Sequence, residues 1–300
     1  MTPQFVSDRV DALSRRWIPA TLRWTVALLW LSNVNWKVPP AFGERASRCR
    51  GLCKYVEDGS THQVVPGAGW VFEHVIGPNL LAFGWVTIAM EALLAVLFMS
   101  GRAMRTACVL GVAQSAAILM SVANADGEWY WSYFLMIGLH LAVLMTAATA
   151  KPPTVPNMAA FSAGYGVIVI AAHLGAGFAG DENTSWSLFG NSKDLPDEIG
   201  KGLFAGSIAL GLLLIGLGIG AWFISQRLAE AQQRIVGWLM VGAGSVALVV
   251  VGAPRLEGAL GLRPAACCVA IALGLTLAVP GRRPSRADDL VAATPDASLS

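Results

Sequence analysis

The chain reads as an all-α integral membrane protein, with about eight transmembrane helices in two four-helix groups and both termini in the cytoplasm. Three observations predict this. Charged residues make up 13% of the 300, about half the share of a soluble domain and too few to cover a soluble fold of this size. Eight segments approach the ~20 mostly apolar residues that a bilayer-crossing helix needs. The connections between them alternate between basic and acidic or neutral, the pattern of cytoplasmic and external loops.

The segments are 17–36, 79–99, 105–123, 131–149, 157–179, 202–224, 235–253 and 264–280. The first follows Arg9, Arg15 and Arg16 as the core of a signal peptide would. It contains Arg23, however, and lacks a small-x-small cleavage site, so it reads as a retained anchor. The basic connections hold Arg9, Arg15 and Arg16, then Arg102 and Arg105, Lys151, Arg227 and Arg234, and finally Arg282, Arg283 and Arg286. They are assigned to the cytoplasm. Asp126, Glu128 and the acidic stretch from Asp181 to Glu198 fall on the other side. Segment 37–78 carries Lys37, Arg45, Arg48, Arg50 and Lys54, yet alternation places it outside, and long loops follow the charge rule weakly. The expected localisation is the plasma membrane, multi-pass.

KPPTVPN at 151–157 separates a four-helix membrane domain at 1–150 from a second at 157–280. Residues 281–300, rich in Pro, Ser, Ala and Asp, are expected to form a disordered cytoplasmic tail. Gly202 with Gly206 and Gly216 with Gly220 form G-x-x-x-G pairs, expected to bring helix backbones together in lipid. A net charge of +2 with thinly spread basic residues offers no nucleic-acid footprint.

Ionisable side chains are expensive inside a bilayer, so their positions carry information. Four helices of the first half each hold one strong polar group: Arg23, Glu91, Gln114 and His140. Counted from the presumed inner helix ends at about 1.5 Å per residue, they fall in one layer, roughly 9–14 Å deep. Glu91 shares a face with Gly84 and Thr87, His140 with Tyr133 and Met136, and Arg23 with Trp30. The plain expectation is an Arg23–Glu91 ion pair that sets helix register, with Gln114 and His140 as interhelical hydrogen-bond partners. The sharper expectation is a quinone-head or proton site. His173, and Asn33 with Asn35, suggest a second polar layer near the other face, although a histidine at a helix end is usually an ordinary interfacial residue.

The loop at 37–78 contains RCRGLCKY. If it is external, Cys49 and Cys53 can form a disulfide, and the flanking bases favour thiolate. A redox-active pair, a static bridge and free thiols all stay open. Cys108, Cys267 and Cys268 read as small packing residues. His62, Glu73 and His74 are too irregularly spaced for a metal site, and none is expected. Trp70, Trp129 and Trp131 suit an interfacial aromatic belt.

LRWTVALLWLSNVNWKVPPAFG (22–43) resembles the first helix of DoxX/DoxD proteins, with an Arg at its start and a Lys just beyond it, here Arg23 and Lys37. FGWVTIAMEALLAVLFMSGRAMRTA (83–107) resembles their second helix, with Glu91, Gly101 and Arg102 or Arg105 at the family's acidic, Gly and Arg positions. EWYWSYFLMIGLHLAVLMTAA (128–148) resembles the fourth helix of the DoxD type. The resemblance covers about residues 15–150. KPPTVP replaces the family's Gly-rich ending, and the second half has no counterpart.

The resemblance implies a four-helix membrane subunit, like the small subunit of a thiosulfate:quinone oxidoreductase. The expected function is a membrane subunit of a redox complex, quinone-linked in its sharper form, working with a protein partner. Glu91 and His140 would handle protons as the catalytic pair, while Arg23, Gln114 and Lys37 complete the polar layer. The residues leave the cofactor open, with quinone as the candidate. The alternatives are a non-catalytic scaffold for a partner and, lower in rank, a small-molecule transporter.

Overall fold

The computed structural model describes residues 3–35, 37, 39, 42, 44–45, 48–49, 51–125, 130–146, 152–178, 208–250 and 263–279. Each of the eight apolar segments carries a helix: α1 (Pro3–Asn35), α4 (Leu80–Ser100), α5 (Met104–Val122), α6 (Tyr130–Thr146), α7 (Val155–Phe178), α8 (Ile208–Arg227), α9 (Glu230–Val250) and α10 (Pro264–Ala278). Between α1 and α4 lie a two-residue antiparallel ladder, β1 (Glu44–Arg45) with β2 (Arg48–Cys49), and two short helices, α2 (Leu52–Thr61) and α3 (Ala68–Val71). The acidic stretch 181–198, Asp126, Glu128, Trp129, Gly202, Gly206, Asn191 and the tail 281–300 lie outside the described residues.

Among the described residues, four stretches are long and apolar enough to cross a membrane: Ala68–Ser100, Met104–Val122, Ile208–Arg227 and Glu230–Val250. Tyr130–Thr146, Val155–Ala171 and Pro264–Ala278 are apolar but shorter. Ile235, Trp238, Leu239, Val246 and Val249 of α9 are exposed, which suits a helix whose solvent is lipid.

Two boundaries move. α1 begins at Pro3 and runs through Pro19, so the apolar stretch is only its second part. A continuous helical path leads into α4 from Ala68, through a π turn (Phe72–Ile76) and a 3-10 turn (Gly77–Asn79). α4 ends where Gly101 adopts φ +66°, the left-handed cap that glycine enters without a Cβ penalty.

One apolar core runs through both halves of the chain. Val26, Trp30, Leu31, Leu94 and Phe98 belong to the same buried cluster as Met158, Leu210, Leu214, Ala272 and Leu273. α10 packs on α4 and α1 as well as on α7, α8 and α9. Arg102 ties the halves further, its Nη2 donating to the carbonyls of Leu275 (3.1 Å) and Val279. A cation at a helix C-terminus satisfies carbonyls left without partners. Partial burial draws the Arg102 pKa down.

The close helix pairs of the second half use other glycines than the sequence spacing suggests. A Cβ on Gly211 would stand 2.7 Å from the Gly166 carbonyl oxygen of α7, and one on Gly218 2.5 Å from that of Ala159. Gly237 and Gly244 of α9 face Gly274 and Cys267 of α10 in the same way. Among the described residues, a Cβ on Gly216 or Gly220 would have nothing within 4 Å, which corrects their expected packing role. They lie off the buried stripe of Leu210, Gly211, Leu214, Gly218 and Ala221. Ser162 Oγ donates 2.7 Å to the Leu214 carbonyl across the α7–α8 contact.

Candidate functional site

Three helices of the first half bring buried polar groups inward on the expected faces. Tyr133, Met136, His140 and Val143 form the buried stripe of α6. Gly84, Thr87, Ile88 and Glu91 are buried on α4, and Arg23 and Trp30 on α1. The groups do not form one cluster.

Glu91 pairs with Lys37. The Lys37 Nζ lies 2.8 Å from Glu91 Oε2, with the two side chains 4% and 0% exposed. The same ammonium donates 2.9 Å to the Asn33 carbonyl. The long lysine side chain therefore runs back along α1 by one turn, which lets a residue beyond the helix end reach a carboxylate in mid-helix. The contact is made through Oε2, and Oε1 has no hydrogen-bond partner among the described residues. A buried carboxylate held on one side only is costly in an apolar setting.

Arg23 lies elsewhere, which corrects the expected Arg23–Glu91 pair. It is buried beside Gly101, where a Cβ would stand 3.0 Å from its Nη1 and 2.8 Å from Cδ of Pro153. Its guanidinium carbon is 4.9 Å from the Trp24 ring centroid, and Trp24 stacks on Phe161 of α7 at 4.3 Å. Asn33 is level with Glu91 and Arg23 is level with Gly101, so each helix places ten residues between the two levels. That is roughly 15 Å along the axes. The single layer fails because hydropathy marks where each helix is apolar, not how far antiparallel helices slide past one another.

His140 forms a second polar centre, toward the Arg23 end from Glu91. Trp30 Nε1 donates to its Nε2 at 2.8 Å, and its Nδ1 meets the Met136 carbonyl at 2.5 Å. Both ring nitrogens are therefore engaged, with the proton on Nδ1. The ring lies edge-on to Trp30 (5.7 Å) and Phe98 (5.2 Å). α5 presents Gly111 to it so closely that a Cβ there would stand 2.2 Å from the imidazole. Gln114 is half-buried, and no hydrogen bond joins it to Glu91 or His140 among the described residues. Ser115, fully buried on the same helix, has an Oγ without a hydrogen-bond partner there. It is a polar position that hydropathy alone does not flag, because a serine costs little in an apolar run. The side chain of His173 lies outside the described residues.

No protein-family model matches the chain, and no curated protein or solved structure does.

Cys49 and Cys53 are joined by a disulfide, with their Cα atoms 5.3 Å apart. Cys108, Cys267 and Cys268 are free and buried. The bridge is packed onto the membrane helices by Phe42. The Cys53 N–H donates 3.1 Å to the Phe42 carbonyl, and the Phe42 ring fills the space over Gly84, where a Cβ would stand 2.4 Å away. Phe42 has φ +47°, a left-handed conformation rare for a bulky residue and held only where packing over-determines it. Among the described residues no group of His, Cys, Asp and Glu is arranged to hold a metal.

Proposed function

We propose that the chain is the membrane subunit of a quinone-linked redox complex, working with a partner protein. The observation that carries this reading is Glu91: completely buried, 2.8 Å from Lys37 through one oxygen, and without a hydrogen-bond partner at the other among the described residues. A quinone head needs a donor for its carbonyl and, once reduced, an acceptor for its hydroxyl, inside apolar walls. Lys37 is a donor of that kind, and Glu91 Oε1 is an acceptor that can also carry a proton. When bound, quinone supplies a two-electron, two-proton acceptor. The resemblance of residues 15–150 to DoxX/DoxD proteins points the same way. His140 is reassigned to positioning, since both its nitrogens are already engaged.

The protein purified in detergent should retain quinone, identified by extraction and mass spectrometry, and Glu91→Gln should lose it. A parent protein that neither carries quinone nor takes up added quinone would overturn the reading.

One observation favours the second reading, a non-catalytic scaffold. The Trp30–His140 bond and the Gly111 contact lock α1, α5 and α6 together with no polar capacity to spare. On that reading Glu91→Gln changes only which proteins co-purify. For topology we propose eight spans in the plasma membrane with both ends cytoplasmic. Reporters fused after Lys151 and after Arg283 should then read cytoplasmic, and one near Asn191 external. A cytoplasmic signal at Asn191 would overturn the count of spans.

A further inference from the structure

We propose that Cys49–Cys53 is a redox-active disulfide that takes two electrons from a dithiol substrate and passes them to quinone. This rests on the quinone-linked reading of the Lys37–Glu91 site and names where its electrons enter.

The bridge forms part of the wall of a cavity of about 290 Å³, together with Glu57, Ser60, Phe72 and Glu73. The Glu73 side chain is 71% exposed, so the cavity opens outward, and Cys49 and Cys53 in its wall are themselves partly exposed. Its shape comes from two local features. Phe72 lies against Gly59 of α2, where a Cβ would stand 2.8 Å from the ring. The wide π turn then sets Phe72 and Glu73 on the same wall, and such turns often mark functional positions.

As a staple the bridge does less than a long-range one would. Its cysteines are four positions apart, and closing so short a loop removes less entropy from the unfolded chain than closing a long one. The two sulfurs also differ in setting. Cys53 lies in the first turn of α2, while Cys49 ends the β2 strand. The positive end of a helix stabilises a thiolate in its first turn, so Cys53 is the better leaving group and Cys49 the sulfur attacked.

The exchange balances without a further reagent. One substrate thiolate attacks Cys49 Sγ, forming a substrate–Cys49 disulfide and expelling Cys53 as thiolate. The second substrate thiolate then attacks the substrate's own sulfur and releases Cys49 as thiolate. The substrate leaves as a disulfide, oxidised by two electrons, and its two thiol protons pass to solvent or to the new thiolates. Reclosing the pair re-forms the Cys49–Cys53 S–S bond and passes two electrons, with two protons, to an oxidant of the quinone class, which becomes the quinol. The path toward the membrane site is short. The Phe42 carbonyl accepts the Cys53 N–H, its ring covers Gly84, and Glu91 lies two turns further along that face of α4.

The test uses the full-length protein in lipid nanodiscs, dithiothreitol as the dithiol and decylubiquinone as the oxidant, without oxygen. Native-state alkylation followed by peptide mass spectrometry should show Cys49 and Cys53 opening with dithiothreitol alone and closing again when decylubiquinone is added. Electron transfer from dithiothreitol to decylubiquinone should be abolished by Cys49→Ser with Cys53→Ser, while extraction still finds bound quinone. A pair that opens only in denaturant would overturn the proposal. So would a pair that opens but is not reclosed by decylubiquinone, or a double-serine protein that transfers electrons as fast as the parent. The alkylation arm reads the parent protein and needs no variant to fold. Bound quinone is read separately by extraction, so failure of the Glu91 reading is distinguishable from failure of this one.

Discussion

Replacing Lys37 with Met tests the central pair, because it leaves a fully buried carboxylate without its cation. At 2.8 Å and an effective dielectric constant near 20, the gross attraction is about 6 kcal/mol. Desolvation of both groups offsets most of it, and breaking such a pair typically costs about 3–5 kcal/mol. Glu91 has one way to limit the loss, by taking a proton. For a carboxyl group of ordinary pKa near 4.3, that costs about 3.7 kcal/mol at pH 7. The Lys37→Met penalty is therefore capped near 4 kcal/mol at pH 7. It should shrink by about 1.4 kcal/mol for each unit of pH lowered, since the variant's folded state binds a proton that its unfolded state lacks. Glu91→Met should cost less, because Lys37 keeps the Asn33 carbonyl and can draw its head toward the helix end. The double variant should cost much less than the sum, since a buried pair replaced by apolar side chains is often neutral. The assay is reversible unfolding in mixed micelles with increasing dodecyl sulfate, followed by circular dichroism at pH 5, 6 and 7. Penalties that add to within about 0.5 kcal/mol, or that do not change with pH, would refute the pairing.

Arg23→Gln and Glu91→Gln should be additive within about 0.5 kcal/mol in the same assay, being too far apart to couple; strong coupling would restore the single polar layer. Trp30→Phe removes the donor to His140 Nε2 and should cost about 1–3 kcal/mol by leaving that nitrogen unsatisfied, with no loss of bound quinone. Gly211→Val should disrupt the α7–α8 contact, while Gly216→Val, with open space around it, should fold like the parent as judged by thermal unfolding; equal effects would refute the assignment of packing faces. An impermeant thiol reagent should fail to label Cys49 and Cys53 in intact cells until a reductant is added, and labelling before reduction would show free thiols.

Much of the architecture could be read from the residues alone. The eight apolar runs all coincide with helices, because an apolar stretch must close its own backbone hydrogen bonds wherever water is excluded. The inward faces were legible too: the Tyr133–Met136–His140 stripe and the Gly84–Thr87–Glu91 stripe follow from helical periodicity. Cys49 and Cys53 are four positions apart, and their pairing needed only a local turn.

What lay beyond the sequence was the relation between helices. Periodicity says which way Glu91 points but not what stands opposite, since that depends on how far α1 slides along α4. The slide is set by Gly101 meeting Pro153 and Arg23 at one end and by Phe42 seated on Gly84 at the other. Those contacts bring Lys37, a residue beyond the apolar run, to a carboxylate roughly 15 Å from Arg23. The same limit hid the packing glycines: Gly216 and Gly220 match a known spacing, but Gly211 and Gly218 lie where α7 actually passes. The sequence determined helices and their faces because backbone hydrogen bonding and side-chain burial are local and periodic. Partner and depth were decided only by tertiary packing, because close-packed side chains admit one axial offset among many that hydropathy allows.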